Sequence, residues 1–160
     1  MLKFKIDIYI KLIFIISIIS LVTAFFIEYI LGHQPCNLCL IERIPYALSA
    51  FIICLWYITE INKHFLVILL ILTFVFSLVI SFYHFGIEQG FFEESVVCGA
   101  KNALNAITKD ELLRELSEKT ISCKDVTFRI FGLSLTSINI LLNLFIIFIL
   151  THNFFFYDEK

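Results

Sequence analysis

The sequence predicts an all-α membrane protein: a bundle of four transmembrane helices, with a short amphipathic helix in the second outer loop. Three observations carry this. Hydrophobic residues make up 60% of the 160-residue chain and the mean hydropathy is +0.95, against about 45–50% apolar in a soluble domain. The apolar residues gather into four runs of the order of the roughly 20 residues that cross a bilayer, although the second, Ile44 to Ile58, is short unless it begins upstream. The charged residues gather between the third and fourth runs. Twelve basic and fourteen acidic residues leave a net charge of −2, which excludes the polycationic face of a nucleic-acid binder.

The first span is read at 12–31. Lys3, Lys5 and Lys11 precede it, as they would precede a signal peptide, but a signal peptide needs a small-residue cleavage site. The sequence here runs Phe25-Phe26-Ile27-Glu28-Tyr29-Ile30, and the apolar run exceeds the ~7–15 residues of a signal core. It is therefore read as retained. The second and third spans, 42–59 and 65–84, are joined by Thr59-Glu60-Ile61-Asn62-Lys63-His64, short enough only for a hairpin turn. The fourth span is read at 131–151. Residues 1–160 form a single membrane domain with outer loops at 32–41 and 85–130.

Orientation follows the basic residues of short flanking segments. Lys3, Lys5, Lys11 and Lys63 place both termini and the short hairpin on the cytoplasmic side. Lys101, Lys109, Arg114, Lys119, Lys124 and Arg129 of the long loop argue the other way, but long segments translocate largely regardless of charge. One conclusion needs no orientation. Two spans separate Cys36 and Cys39 from Cys98 and Cys123, so both pairs lie on the same face. Disulfides persist where the compartment is oxidising, which fits an outer face. Cys54, between Ile53 and Leu55, reads as a small buried hydrophobe. In the long loop, Thr108-Lys109-Asp110-Glu111 has the form of a capping box, and Leu112, Leu113 and Leu116 then share one face. Such a helix would lie along the bilayer surface or stand as a plain solvated helix in the loop.

The chemistry concentrates in Gln34-Pro35-Cys36-Asn37-Leu38-Cys39-Leu40-Ile41-Glu42-Arg43-Ile44-Pro45. CxxC alone serves zinc, haem attachment or redox chemistry. Haem attachment needs His after the second cysteine, and Leu40 stands there. Zinc would draw on Cys36, Cys39, Cys98 and Cys123, but the last two lack the close spacing that preforms half a site; no metal is expected. If the second helix starts near Cys36, then Cys36, Cys39 and Arg43 share a stripe. Both sulfurs then occupy a first turn, where the helix dipole favours thiolate. If instead Pro45 opens the helix, the CxxC lies in a loop; the thin span that would leave favours an earlier start with a kink. Tyr83, His84 and Glu88 fall at the outer end of span three, and His84 suits either an interfacial anchor or a place beside a cofactor. Asn139 and Asn143 read as interhelical hydrogen-bond glue, and Glu28 as reaching the headgroups.

These features together resemble the DsbB-type thiol oxidoreductases of the bacterial inner membrane. The resemblance rests on Pro35-Cys36-Asn37-Leu38-Cys39 with Glu42-Arg43 and Pro45, on Tyr83-His84-Phe85-Gly86-Ile87-Glu88, on Cys98 and Cys123, and on Phe131-Gly132-Leu133-Ser134 through Asn139. It covers nearly the whole chain. It implies a multi-pass enzyme of the inner (cytoplasmic) membrane with its active cysteines on the periplasmic side, sustaining protein disulfide formation by electron transport. A periplasmic DsbA-like thioredoxin-fold oxidase would pass electrons to a Cys98–Cys123 disulfide, with Cys98 forming the mixed disulfide. Cys123 would exchange with Cys36, and Cys39 would face a quinone, ubiquinone or menaquinone, drawn from the membrane lipid pool. Arg43 would bind a ring oxygen, with His84 near it. Such an acceptor is needed. A DsbA-type partner lies near −120 mV, and oxidising it with a structural disulfide below about −300 mV would run uphill by roughly 180 mV, about 8 kcal/mol. Two other readings compete: a structural four-span protein whose loop disulfides brace it, and a transmembrane reductant carrier, which would want redox cysteines on both faces.

Overall fold

A computed structural model describes residues 2–59, 62–93, 98, 122–124, 128–130 and 132–157. Within them lie helices α1 (Leu2–Tyr29), α2 (Asn37–Ile41), α3 (Ile44–Thr59), α4 (Lys63–Glu88) and α5 (Leu135–Tyr157), and strands β1 (Arg129–Ile130) and β2 (Leu133–Ser134). Four stretches are long and apolar enough to cross a membrane: Asp7–Tyr29, Asn37–Thr59, Lys63–Glu88 and Leu135–His152. The amphipathic helix expected from Thr108 lies outside the described residues.

From Leu12 to Ile27 α1 is largely apolar, with Ile10 and Ile13 buried against its neighbours and Ile15, Ile19 and Val22 exposed. It ends where Gly32 takes a left-handed φ of 72°. The His33 N–H then returns to the Ile27 carbonyl at 3.2 Å, a closure that needs a residue without Cβ strain. This turn carries His33, Gln34 and Pro35 back over the bundle and delivers Cys36.

The second span is a broken rod. Cys36 caps α2, its Sγ accepting the Cys39 N–H at 3.2 Å. The Glu42 N–H still reaches the Leu38 carbonyl at 2.9 Å, but that of Arg43 turns tighter, to Leu40 at 3.2 Å. Pro45 has no N–H with which to continue the ladder. α3 starts afresh, with Ala47 N–H bonding the Arg43 carbonyl at 3.1 Å. Both sequence-level readings thus hold in part: a helical turn does begin at the cysteines, and the chain does break ahead of Pro45.

Asn62 caps α4 through its Oδ1, which accepts the His64 N–H at 3.0 Å. Ahead of α5 the chain makes a tight hairpin pairing Arg129 with Ser134 and Ile130 with Leu133. Gly132 supplies the positive φ of 84° that such a turn demands. Ser134 then accepts the Ser137 N–H at 3.2 Å as the N-cap.

α4 packs most extensively on α5, and α3 packs on both α1 and α4. The main core joins Ile10 and Ile13 of α1, Tyr46 and Ile53 of α3, Leu66, Leu70 and Phe74 of α4, and Ile146 and Leu150 of α5. Ser17 and Ser49, both fully buried, bond at 2.8 Å where α1 meets α3. Val22, Phe51, Phe76 and Phe145 face outward, toward lipid. Cys54 faces outward too, which corrects its reading as a buried residue: in an apolar stretch of a spanning helix, lipid accepts a small hydrophobe as readily as the core does.

At one end of the bundle Lys63 pairs with Asp7 at 2.5 Å and lies over the Trp56 ring. The cysteines and His84 occupy the other end. There Gly86 leaves room for Phe92, since a Cβ would collide with its ring, and that ring stacks on Tyr83 at 5.6 Å. Gly86→Ala is expected to break this stack and lower stability by about 1–2 kcal/mol, the usual cost of overpacking. Thermal unfolding in detergent, compared with Phe92→Ala and the double variant, should show the two changes to be non-additive.

Candidate active site

Cys36 sits at the N-terminal end of α2, as its cap. Its thiol is buried, 2.6 Å from the Cys39 sulfur and 3.5 Å from His84 Nε2. A disulfide can close between Cys36 and Cys39 from this arrangement. Cys36 lies just ahead of the second span, and its thiol is held below the ordinary range. The largest cause is the hydrogen bond from the Cys39 thiol, opposed by burial; the nearby His84 ring and the Cys39 backbone N–H add to the lowering. The thiolate absorbance of reduced chain should therefore lose Cys36 at a midpoint below the ~8.5 of a free cysteine. The anion persists as pH falls through 8 and disappears only lower. His84→Asn should move that midpoint upward.

His84 is held from its other side. Its Nδ1 lies 2.9 Å from Glu42 Oε1 and 3.3 Å from Thr136 Oγ1. With Nδ1–H donated to Glu42, Nε2 is left to accept from a thiol or, protonated, to donate to a thiolate. Glu42 reaches further, its Oε2 accepting from Asn139 Nδ2 at 2.9 Å. The second Asn139 N–H goes to Ser81 Oγ at 2.8 Å, and its Oδ1 accepts from Tyr46 OH. Every polar atom of that amide is used, which fixes its orientation. Thr136 also donates to Glu88 Oε1 at 2.6 Å. One network thus ties α4, α5, the Glu42 turn and α3 to the dithiol.

Arg43 turns to the other side of the break. It pairs with Glu28 at 2.5 Å, and its guanidinium lies 5.1 Å from the Phe25 ring centre. Glu28 does not simply reach the headgroups, as read from sequence; it balances the arginine across the α1–α3 contact. A charge placed in a span normally has such a partner.

Beside the dithiol a cavity of about 270 Å³ opens between α1, α3 and α5. Ile19, Ala24, Ile27 and Leu142 give it apolar walls, while Cys39, Glu42, Arg43 and Asn139 line its polar end. Cys36 is not among its lining residues. Instead Cys36 packs with Leu38, Ile87, Cys98 and Cys123 in a second buried cluster, which Cys39 borders. Cys98 and Cys123 are joined as a disulfide with Cα atoms 5.4 Å apart.

The structure thus brings together all four cysteines expected to react, with His84 against Cys36 and Arg43 on the cavity that Cys39 lines. Asn139 and Asn143 do bridge helices, and Asn139 does so at the site itself. Sequence reasoning missed Glu42 as the group that holds His84, and with it Ser81, Tyr46 and Thr136. For Glu42 a signal existed: a carboxylate at the start of an apolar span is costly and marks function by default. For the three hydroxyls there was none.

Residues 7–152 match the family model described as "Disulfide bond formation protein DsbB". The uncharacterized protein RP370 of Rickettsia prowazekii (strain Madrid E) is 34% identical over 137 residues, covering 81% of this chain and 76% of that protein. No solved structure matches.

Proposed function

Because this chain belongs to the DsbB family of disulfide bond formation proteins, we propose that it reoxidises a periplasmic DsbA-like thiol oxidase and delivers the electrons to a membrane quinone. The family and the four apolar helices make it a multi-pass membrane protein of disulfide formation. The inner-membrane location and the periplasmic side of the cysteines are supported by Lys3, Lys5, Lys11 and Lys63. The observation that carries the reading is the division of labour between Cys36 and Cys39. The first packs with the Cys98–Cys123 disulfide, the second lines the apolar cavity.

Electrons would pass through four thiol–disulfide exchanges. A partner thiolate attacks Cys98, breaking Cys98–Cys123 and freeing the Cys123 thiolate. Cys123 attacks Cys36 of the Cys36–Cys39 disulfide and expels Cys39 as thiolate toward the cavity. The partner's second thiol attacks its own bonded sulfur, which completes the partner disulfide and releases Cys98. Cys98 then attacks Cys123, restoring their disulfide and expelling Cys36. A leaving sulfur departs faster the lower its pKa. The bonds to Cys36 from Cys39 and His84 therefore speed that last step. The net result is an oxidised partner and a reduced Cys36–Cys39 pair carrying two electrons.

The cavity fits a quinone: its walls are apolar, its volume suits a substituted ring, and its polar end offers a guanidinium beside a sulfur. When bound, the quinone supplies a two-electron, two-proton acceptor of higher potential than the disulfides. Arg43 would hold a ring oxygen, and Glu28 and Phe25 keep that guanidinium at the cavity edge. Cys39 would face the ring.

The test is turnover. Purified chain given a reduced thioredoxin-fold dithiol protein should consume added ubiquinone or menaquinone one for one with dithiol. No consumption of either quinone would defeat the reading. Arg43→Gln should raise the KM for quinone about tenfold, the value of one charge-assisted hydrogen bond of ~1.5 kcal/mol, with the KM for the dithiol protein unchanged. A rise confined to the dithiol KM would remove Arg43 from the cavity role.

A further inference from the structure

We propose that the reduced Cys36–Cys39 pair and His84 form a binding site for a zinc-type divalent ion, which holds the dithiol in its reduced state. This goes beyond the redox reading and needs neither partner nor quinone. Cys36 Sγ, Cys39 Sγ and His84 Nε2 all lie within 4.8 Å of one another. Tetrahedral zinc, with bonds of about 2.3 Å to sulfur and about 2.0–2.1 Å to nitrogen, sets a sulfur and a nitrogen ~3.6 Å apart and two sulfurs ~3.8 Å apart. The Cys36–His84 separation, 3.5 Å, already meets the first requirement.

The two sulfurs, at 2.6 Å, must part by about 1 Å. Two unbonded thiolates repel to at least that distance in any case. Cys39 is only half-buried and borders the cavity, so its side chain has space to move. The ligand set differs from the one weighed from sequence: His84 takes the place that Cys98 and Cys123 would have filled, and those two are spent on each other.

The second observation is the setting of His84. Its far nitrogen, Nδ1, is bonded to Glu42, whose other oxygen is bonded to Asn139. A carboxylate behind a ligating histidine orients the ring and raises its basicity, and losing such a partner costs 10–100-fold in metal affinity. Two thiolates and an imidazole select zinc-type ions over magnesium or calcium. Three protein ligands leave a fourth position, which the cavity beside Cys39 leaves open to water. An oxidised pair has no thiolate to give, so metal binding and disulfide closure exclude each other. Metal would act as a reversible brake on the relay.

The experiment uses the full chain carrying Cys54→Ala, Cys98→Ser and Cys123→Ser, purified in detergent and reduced, so that no other cysteine contributes. Cobalt(II) serves as the spectroscopic probe and zinc as its competitor. One equivalent of cobalt should give a thiolate-to-metal charge-transfer band that zinc abolishes, and zinc should protect both thiols from alkylation. His84→Asn and Glu42→Gln should each weaken binding at least tenfold. Glu42→Gln retains a carbonyl for Asn139 and so guards against loss of fold. The proposal is overturned by absence of the band at millimolar cobalt, by unchanged affinity in both variants, or by equal binding to the oxidised chain.

Discussion

Cys39→Ser should abolish quinone reduction by a reduced dithiol partner, a loss on the order of 10⁴-fold or more, the scale seen when a nucleophile is removed. The expectation rests on position. Among the described residues Cys39 is the cysteine that lines the cavity, while Cys36 lies in the neighbouring cluster with Cys98 and Cys123. A hydroxyl in its place cannot form a disulfide, and Cys36 then has no bond for Cys123 to break. The first exchange should survive, because Cys98–Cys123 is intact. The variant should therefore oxidise one equivalent of partner and stop. Cys54→Ala is the control: that thiol faces outward from α3, and its loss should leave turnover within about twofold, as for a surface change. Sustained turnover by Cys39→Ser would remove the Cys36–Cys39 pair from the path.

Glu42→Ala should be the most destabilising single change at the site, by about 3 kcal/mol. Glu42 is buried and anchors two groups from different helices, His84 of α4 and Asn139 of α5. Removing it leaves both facing a gap, and breaking a buried hydrogen-bonded pair costs about 3–5 kcal/mol in water-soluble proteins. Interhelical hydrogen bonds in membranes average nearer ~0.6 kcal/mol, so the lower end applies. Asn143→Leu gives the contrast. Its bonds to Tyr46 and Asn139 are 3.4 Å long, and its loss should cost less than about 1 kcal/mol. Unfolding in mixed micelles should rank the two variants in that order. Equal effects would mean that the network on Asn139, and not Glu42, holds the site.

Particular residues show how far the sequence could be read. The CxxC motif and the count of two spans between cysteine pairs already put four sulfurs on one face, and in the structure Cys36, Cys98 and Cys123 share one cluster that Cys39 borders. The break ahead of Pro45 stayed open because proline both ends one helix and begins another; only the Arg43-to-Ala47 bond decided where α3 restarts. Glu28 and Arg43 are fifteen positions apart on different helices, and no local pattern links them. Cys54 was misread because its neighbours Ile53 and Leu55 are apolar and do not show which side of α3 faces the core.

The order of residues along the chain determined the four crossing helices, the face shared by the two cysteine pairs and the CxxC spacing. Solvation by a bilayer depends on how apolar each stretch is, and that can be summed along the sequence. Tertiary structure decided that Glu42 holds His84, that Arg43 meets Glu28, and that Cys36 and Cys39 face different neighbours. Those outcomes depend on how each helix is rotated about its axis. Lipid and core are equally apolar, so hydrophobic patterning does not specify that rotation; packing and a few buried polar bonds do.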